Sequence, residues 1–226
     1  MKPSLLHHLG LPSSQVPAAA VLLEADIARH LALPLVADTA SERREFRSGR
    51  LKAVPEVVVC AGFFGSPAAV IAMEELVRAG VRAAVAVTVC RCHDCAVNGP
   101  ASHNVVVAFA AVRDEFTSDA YAPQGFPALP DPALTRILRS LLPSATAEIV
   151  RTVDVPSTWR PASSAADSAG PVDLHASALM VVAAARAAAV GVVALGAAAL
   201  QGDSAERVGQ IIERAASAAE QRSRHP

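Results

Sequence analysis

Four short apolar runs, rich in valine, stand out along the chain and predict β-strands. They are VPEVVVCAG (54–62), VRAAVAVTVC (81–90), NVVVAFAAV (104–112) and VGVVAL (190–195). Each run is almost continuously apolar and does not alternate between apolar and polar positions. Strands of this kind are buried on both faces, so the pattern indicates a sheet that is covered by helices on both sides.

Segments with helical spacing lie between and after these runs. The first, SPAAVIAMEELVRAG (66–80), begins with a Ser-Pro pair and is followed closely by glycine, which are the residue types expected at helix ends. Three further helices are predicted over 131–142, 173–189 and 203–221. Because strands alternate with helices, the chain is predicted to have an α/β layer architecture.

The segment ASALMVVAAARAAAVGVVALGAAAL, residues 176–200, is long enough to span a bilayer. Arg186 lies in its middle, where a charge would be costly in lipid, and much of the remainder is alanine. We therefore interpret it as a buried helix that runs into a buried strand. The N-terminal residues have no long apolar run of the signal-peptide type, so no contact with a membrane is predicted.

A stretch rich in proline, serine and alanine, VPSTWRPASSAADSAGPV (155–172), interrupts the pattern. Its composition fits a lid or a disordered loop and does not decide between them. A length of 226 residues suits one full-sized domain with its own core, so residues 1–226 are taken as a single domain.

The composition narrows the possible partners and the compartment. Hydrophobic residues make up 52% of the chain and aromatic residues only 4%, so the core must consist mainly of alanine, valine and leucine. A net charge of −1 gives no broad basic face, so no nucleic acid is expected as a partner. Four cysteines, three of them crowded together, do not resemble a secreted disulfide framework, and a reducing cytoplasm is expected.

The crowded cysteines lie in CRCHDC, residues 90–95, and metal binding is one interpretation. Zinc takes four tetrahedral nitrogen or sulfur ligands, and Cys92, His93 and Cys95 offer part of such a set. The sequence contains no second, distant pair, and Cys60, predicted on the adjacent strand, is the only other cysteine. These residues are weak candidates, and neither a metal nor an organic cofactor is predicted.

The same stretch also allows a reactive or a purely structural interpretation. Arg91 and His93 would lower the pKa of a neighbouring thiol, which would make Cys90 a nucleophile or a redox-active residue. Alternatively, the cysteines are small side chains that are half buried in a tight loop. Arg91 itself would either bind a carboxylate or phosphate of a ligand or form a salt bridge with Asp94.

The stretch VVVCAGFFGSPAAVIAMEELVRAGVRAAVAVTVC resembles the nucleoside phosphorylase superfamily, and most of all the uridine phosphorylases. In that family a strand ends in a glycine-rich turn with a proline, and a helix with an EEL motif and a second strand follow. Four further stretches are similar in order: LHHLGL (6–11), RREF (43–46), residues 105–134, and DLHASALMVVAAA (173–185) at the family's EMESA helix.

This resemblance implies the fold and the assembly. We expect a single α/β domain with a mixed, twisted and partly closed central sheet flanked by helices. The resemblance implies a homodimer as the minimal unit, and it also allows a hexamer, as in members of the family. His8 matches the histidine that a neighbouring subunit lends to the sugar, and Arg44 matches the arginine that it lends to phosphate. Both residues would therefore bind substrate across a dimer interface.

The departures from the family fall on its phosphate-binding parts. The GDPxR loop of the family falls on LEADI (23–27), where Glu24 would repel an anion. A second phosphate-binding arginine falls on Ala86, and the family's Gly-Thr-Thr-Gly turn falls on residues 88–91. Phosphate binding needs cationic side chains and free backbone N–H groups. The sequence therefore predicts a site that no longer holds phosphate in the usual way.

The sugar-binding glutamate of the family falls on His175, which could act as an acid or a base near neutral pH. We expect its side chain to be exposed in the pocket; the alternative is a half-buried helix residue with a local hydrogen bond. Asp173 precedes it by two positions, so the two side chains would not share a helix face. With Cys90 and His93, these residues are the predicted catalytic group.

Five other side chains are predicted to contact the substrate. Phe63 and Phe64 replace small residues of the glycine-rich turn and would fill the former phosphate space or pack in the core. Arg113 matches a basic position and is either a ligand contact or part of a structural ion pair. Trp159 would cover a ligand or anchor its loop, and Arg160 lies near the family's base-recognition loop.

Three functions remain open at this point. The first is an enzyme that acts on a small molecule without ordinary phosphorolysis, by repurposed glycosidic-bond, lyase, isomerase or cyclase chemistry in a biosynthetic pathway. The second is a conventional nucleoside phosphorylase with unusual phosphate contacts. The third is a ligand-binding or interaction protein that keeps the fold and has lost catalysis.

Overall fold

The computed structural model describes residues 8–31, 35, 40–42, 46–90, 105–154, 170–200 and 204–225. The strands in these ranges are β1 (Ala19–Glu24), β2 (Ser41–Glu42), β3 (Arg47–Arg50), β4 (Val57–Phe63), β5 (Ala83–Cys90), β6 (Val105–Asp114), β7 (Thr146–Val153), β8 (Val172–Asp173) and β9 (Ala189–Gly196). The helices are α1 (Ala25–His30), α2 (Ser66–Arg78), α3 (Pro132–Leu141), α4 (Ala176–Ala185) and α5 (Ala205–Arg224).

The strands form one mixed sheet in the order β2-β3-β4-β1-β5-β9-β6-β7-β8. Its centre, β4-β1-β5-β9, is parallel, and β6 joins antiparallel to β9 and parallel to β7. The predicted mixed sheet flanked by helices is confirmed, but strand pairing does not close it as was expected. Strands β5 and β8 nevertheless lie close together: Thr88 Oγ1 of β5 is 3.4 Å from Asp173 Oδ2 of β8.

Two apolar layers cover the sheet. Helices α2 and α4 pack on one face, and α1, α3 and α5 contribute apolar side chains to the core on the other. Residues 176–183 of α4 are all buried, as expected of a helix that is apolar all round. The predicted buried helix and strand within 176–200 are thus confirmed as α4 and β9. No helix in the described ranges is long and apolar enough to cross a membrane.

The helix predicted over 173–189 is shorter at both ends. Asp173 belongs to β8, and its carboxylate accepts a hydrogen bond from the Ala176 N–H (2.9 Å), which marks the start of α4. The helix ends before Ala187, which has a φ of 53°. Alanine favours a helix, but the left-handed backbone at Ala187 ends α4 and turns the chain directly into β9.

Candidate functional site at the carboxyl end of the sheet

The carboxyl ends of the parallel strands bring the predicted site residues to one edge of the sheet. Strand β1 ends at Glu24, β4 at Phe63 and β5 at Cys90, and α2 begins just after β4. Crevices outside the carboxyl ends of parallel strands are the usual ligand sites of α/β proteins. This edge is therefore where a ligand site is expected.

Glu24 is buried at this edge and holds a backbone group of the neighbouring strand. A bulge after Leu23 shifts the register, so that Glu24 lies opposite Phe63 of β4. Strand β5 continues past its last pair with β1, Val87, and the Val89 N–H donates to Glu24 Oε2 at 2.5 Å. A carboxylate that is only 3% exposed needs such a donor, because its burial without one would be costly.

His175 is fully buried next to this carboxylate. Its Nε2 accepts a hydrogen bond from the Gly65 N–H at 2.9 Å, so the proton of the neutral ring lies on Nδ1. Nδ1 points towards Glu24 Oε2 at 3.5 Å, which is too long for an ordinary hydrogen bond, and it has no hydrogen-bond partner. The ring also packs edge-on against Phe63, with the ring centres 4.9 Å apart.

These contacts correct the prediction for His175. Its side chain is 0% exposed, so the predicted exposure in a pocket is wrong. The alternative, a half-buried residue with a local hydrogen bond, is not found either, because the ring is fully buried and its partner, Gly65, is 110 positions away in the sequence. Burial lowers the pKa of His175 to about 3. The nearby Glu24 carboxylate favours the protonated ring, but desolvation is the larger effect. His175 is therefore a neutral imidazole at physiological pH.

Asp173 anchors the start of α4 to three strands. Its Oδ1 accepts from Thr152 Oγ1 (2.8 Å), and its Oδ2 accepts from the Ala176 N–H (2.9 Å) and, more weakly, from Thr88 Oγ1 (3.4 Å). Burial raises the pKa of Asp173 to about 6, although these hydrogen bonds act in the opposite direction. The carboxyl group thus fixes the turn that carries His175.

Arg113 holds the loop that follows β6. Its guanidinium donates to Ser118 Oγ, to the Asp119 carboxylate and to three backbone carbonyls, those of Pro123, Ala122 and Phe126. An arginine side chain has five N–H donors, and all five are used here. The structure therefore gives Arg113 the structural role that the sequence left as an alternative, and leaves no guanidinium donor for a ligand.

A buried carboxylate, Glu115, joins this loop to α4. It accepts from the Ser118 N–H (2.9 Å), from the Ser118 hydroxyl and from Ser177 Oγ (2.8 Å). The Ser177 N–H in turn donates to Thr152 Oγ1 at 2.9 Å, next to Asp173. A hydrogen-bonded chain thus runs from the surface loop to the turn before α4.

Cys90, the last residue of β5, is 2% exposed. Burial, with smaller contributions from the charges of Asp173, Glu148 and Glu24, raises its pKa to about 12. The sulfur is therefore a protonated thiol at neutral pH, which contradicts the predicted low-pKa nucleophile. Its neighbours in that prediction, Arg91 and His93, lie outside the described residues.

The metal interpretation gains no support from the cysteines that the structure describes. Cys60 is buried in β4, and β1 lies between β4 and β5, so Cys60 is not on the strand adjacent to Cys90 as was expected. The part of the chain that the structure describes contains no group of three His, Cys, Asp or Glu side chains able to hold a metal ion. Cys92, His93 and Cys95 lie outside it.

The two phenylalanines of the turn after β4 differ in environment. Phe63 is 1% exposed and belongs to the core beside His175, whereas the next residue, Phe64, is 55% exposed. Gly65 follows with a φ of 79°, a conformation that glycine adopts without strain, and its N–H reaches the His175 ring. Of the two side chains, only Phe64 is placed to meet a ligand.

The second glutamate of the EEL motif anchors the N-terminal segment. Glu75 accepts from the His8 N–H through both carboxylate oxygens (3.0 and 3.1 Å) and from the Leu9 N–H (3.1 Å). Its pairing fixes the backbone of His8, whose side chain is half buried. The remaining predicted substrate contacts, Arg44, Trp159 and Arg160, lie outside the described residues.

The order of the strands and the helices on both faces define an α/β fold of the nucleoside phosphorylase class, which solved structures share over nearly their full length. The purine nucleoside phosphorylase of Toxoplasma gondii, in complex with immucillin-H, matches with a TM-score of 0.78 and 19% identity, over 100% of this chain and 98% of that chain. The uridine phosphorylase of Vibrio fischeri ES114 matches with a TM-score of 0.70 and 21% identity, over 97% and 96%.

A Plasmodium knowlesi homologue of P. falciparum PNP matches with a TM-score of 0.75 and 17% identity, over 100% of this chain and 97% of that chain. By sequence, no protein family and no curated protein matches the chain. The nucleoside phosphorylase-like fold expected from the resemblance is thus confirmed. Identities this low show the fold and leave the activity to be argued from the site.

The sequence interpretation missed the part that Glu24 plays. It treated this residue only as a charge that would repel an anion, whereas Glu24 contacts both β5 and His175. The sequence did contain a sign of this role: Glu24 ends the run AAVLLE, and all five residues before it are apolar. Thr88, Thr152 and Ser177 were also missed, because hydroxyls inside apolar stretches give no pattern by which their partners can be predicted.

Proposed function

We propose that the protein is an enzyme that acts on a small molecule at the carboxyl end of this sheet without using phosphate. Cleavage of an N-glycosidic bond by water is the reaction that fits the site best. The observation that carries the proposal is the buried Glu24 carboxylate, held on the Val89 N–H beside the His175 ring.

Electrostatics supports water over phosphate as the attacking group. A phosphate dianion would approach the Glu24 and Asp173 carboxyl groups, and Arg113, a predicted ligand contact, has no donor left to offer it. Like charges in a site of low dielectric repel strongly. Water carries no charge, and a carboxylate can accept its proton as a general base. The site thus favours hydrolysis over phosphorolysis.

In the proposed reaction, the water oxygen attacks the anomeric carbon of the sugar, and the bond to the base nitrogen breaks with its electron pair on that nitrogen. Glu24 accepts the proton of the water, and the leaving base takes up a proton from solvent. Neutral His175 acts as a positioning residue that keeps Gly65 and Glu24 in place. Phe64 is proposed as an apolar wall of the ligand site.

The test is to incubate the purified protein with a panel of purine and pyrimidine nucleosides, with and without phosphate, and to measure the free base. We expect release at the same rate in both conditions and, in ¹⁸O-labelled water, one labelled oxygen in the sugar product. Release that requires phosphate and yields a sugar phosphate would establish the conventional phosphorylase. That alternative would depend on Arg44 and Arg91, since all donors of Arg113 are already used.

A ligand-binding protein without turnover is the second candidate, and one observation favours it. Two residues predicted to be catalytic are held in unreactive forms, Cys90 as a buried thiol and His175 as a buried neutral ring. In that case nucleosides would stabilise the protein against heat in proportion to their concentration, while no base would be released at high protein concentration.

We further propose that two copies of the chain associate through an uncovered face of β6 and β7. Three side chains on these strands, Phe109, Val112 and Ile149, are each about half exposed, and Ala110 pairs with Ile149. The adjacent Asp114–Arg151 ion pair makes the face self-complementary. In a two-fold symmetric dimer, Arg151 of each copy can lie against Asp114 of the other. A hexamer would require further contacts between such dimers.

Sedimentation of the wild type and of a Val112→Glu, Ile149→Lys variant tests this assembly. We expect a dimer for the wild type and a folded monomer for the variant; a wild-type monomer at micromolar concentration contradicts the proposal. Loss of activity on dissociation would support the proposed role of His8 and Arg44 as residues lent by the partner subunit.

A further inference from the structure

Two backbone N–H groups at the carboxyl end of the sheet are hydrogen-bonded to side chains. The Val89 N–H, at the end of β5, donates to Glu24 Oε2 (2.5 Å), and the Gly65 N–H, just before α2, donates to His175 Nε2 (2.9 Å). Backbone N–H groups at such places are the donors that proteins commonly use to bind anions. Here each of them has a side chain of the same chain as its acceptor.

The Glu24 carboxylate lies close to two donors. Both the Val89 N–H and the proton on His175 Nδ1 lie near the same oxygen, Glu24 Oε2, and Nδ1 carries that proton because Nε2 of the neutral ring is an acceptor. Nδ1 is fully buried, has no hydrogen-bond partner and lies 3.5 Å from Glu24 Oε2. A negatively charged oxygen thus sits beside one backbone N–H and one imidazole N–H, as the oxygen of a bound anion would.

We propose that Glu24 is an internal ligand that occupies a latent anion site, formed by the Val89 N–H and the His175 Nδ1–H, and that it thereby keeps phosphate out. The chemical class that the vacated site would bind is a tetrahedral oxyanion such as inorganic phosphate. The inference deepens the proposed function, which requires that phosphate is excluded from this site.

A pair of variants separates occupancy from charge. Glu24→Ala removes the internal ligand and leaves the Val89 N–H unpaired, as His175 Nδ1 already is. Glu24→Gln removes the charge but keeps an amide oxygen that can accept from the Val89 N–H. Glu213→Ala, on the exposed face of α5, is the matched control for loss of a carboxylate elsewhere. All four proteins are compared by titration calorimetry and thermal unfolding in phosphate and in chloride of equal ionic strength.

We expect phosphate to bind the Glu24→Ala protein at least about tenfold more tightly than the wild type and to raise its Tm in a concentration-dependent way. The wild type and Glu213→Ala should show no such effect, and Glu24→Gln, which loses the repelling charge but still fills the site, should gain much less than Glu24→Ala. If Glu24→Ala does not fold, Glu24→Ser takes its place, because its hydroxyl is too short to reach the Val89 N–H.

Two outcomes would overturn the inference. One is a folded Glu24→Ala or Glu24→Ser protein that phosphate neither binds nor stabilises. The other is an equal gain in Glu24→Gln, which would show that charge alone excludes the anion. Neither outcome depends on turnover. Phosphate binding by the Glu24 variants tests this inference, and release of base by the wild type tests the proposed hydrolysis, so each proposal can fail independently of the other.

Discussion

The two ends of the central sheet are built from the same strands but handle polar groups in opposite ways. At the carboxyl end, the side chains of Glu24, Asp173 and His175 are buried and in contact with one another or with buried hydroxyls. At the amino end, an open cavity of about 310 Å³ is lined by charged residues that include Arg50, Glu56, Glu220 and Arg224. The first set is removed from water, and the second faces it.

This difference indicates which end can do chemistry. Charges that face water are screened and interact weakly with one another, whereas desolvated groups acquire shifted pKa values and fixed orientations. Burial moves the pKa of Asp173 up and that of His175 down, which is the mark of a low-dielectric site. The charges that line the amino-end cavity are solvated, so we place the proposed function at the carboxyl end.

The sharpest test of this contrast exchanges one carboxylate for an amide at each end. Glu24→Gln is expected to lower the rate of base release by about 10²–10⁴-fold, the usual contribution of a general base. Glu56→Gln, at the exposed amino end, should leave the rate unchanged. Steady-state kinetics of the two variants at saturating substrate measures the effect. Equal rates for both variants would place the chemistry elsewhere.

The buried histidine predicts loss of stability in acid. Its folded-state pKa of about 3 is lower than its ordinary value of 6.5. Between these two pH values the ring is protonated in the unfolded chain and neutral in the folded chain. The stability that neutral His175 provides is present above pH 6.5 and is lost as the pH falls towards 3, by about 4–5 kcal/mol in total. Because Asp173 acts in the opposite direction between about pH 6 and pH 4, the loss is measured as the difference in urea unfolding between the wild type and a His175 variant.

His175→Gln isolates that effect, because glutamine keeps an acceptor for the Gly65 N–H and does not titrate. Between pH 6 and pH 4 the unfolding free energy of the wild type should therefore fall relative to that of the variant, in which only the opposing contribution of Asp173 remains. A variant whose acid limb is as steep as that of the wild type would show that His175 is not the group responsible.

Asp173 predicts a smaller effect of opposite sign. Its folded-state pKa of about 6 lies above its ordinary value of 3.8, so its contribution is fully present below pH 3.8 and is lost as the pH rises through 6. The loss is about 3 kcal/mol. Asp173→Asn removes this term, and its unfolding free energy should therefore fall more steeply than that of the wild type between pH 6 and pH 4. Parallel curves would contradict the prediction.

Packing near the amino end gives the next effect. A Cβ added to Gly191 of β9 would lie 2.6 Å from Leu138 Cδ1 and 3.1 Å from Leu134 Cγ. Gly191→Ala is therefore expected to destabilise the fold by about 1–3 kcal/mol through overpacking. Gly209 of α5 has open space around it, and Gly209→Ala should stabilise by about 0.5–1 kcal/mol. Chemical denaturation compares the two, and a neutral Gly191→Ala would mean that β9 and α3 separate easily.

Strands β4 and β5 were predicted within a few residues because burial on both faces gives them a continuous apolar sequence. The rule is incomplete, since β1 is buried just as fully and was not among the predicted strands. Strand β7 was missed because TAEIVRTV is half exposed and interrupted by charges. The junction of α4 and β9 was misplaced because alanine fills both sides of it, and the turn depends on the backbone of Ala187.

The candidate site was predictable in position but not in its contacts. Resemblance put Glu24 and His175 at homologous site positions, and the structure brings them to one edge. Whether His175 faces solvent depends on how β1, β4 and the start of α2 pack around it, and one sequence contains no pattern for such distant contacts. The same holds for Arg113, whose five acceptors come from a loop without periodicity.

The smallest effect is expected at the rim of the amino-end cavity. Glu220 and Arg224 form an ion pair one turn apart on α5, with 20% and 66% of their side chains exposed. Because water screens such a pair and fixing two long side chains costs entropy, Glu220→Gln should destabilise by less than about 1 kcal/mol and lose even this in high salt. Urea unfolding at low and high ionic strength measures it. A loss as large as that of Gly191→Ala, unaffected by salt, would mean that the amino end also contains desolvated charges and that the contrast between the two ends does not hold.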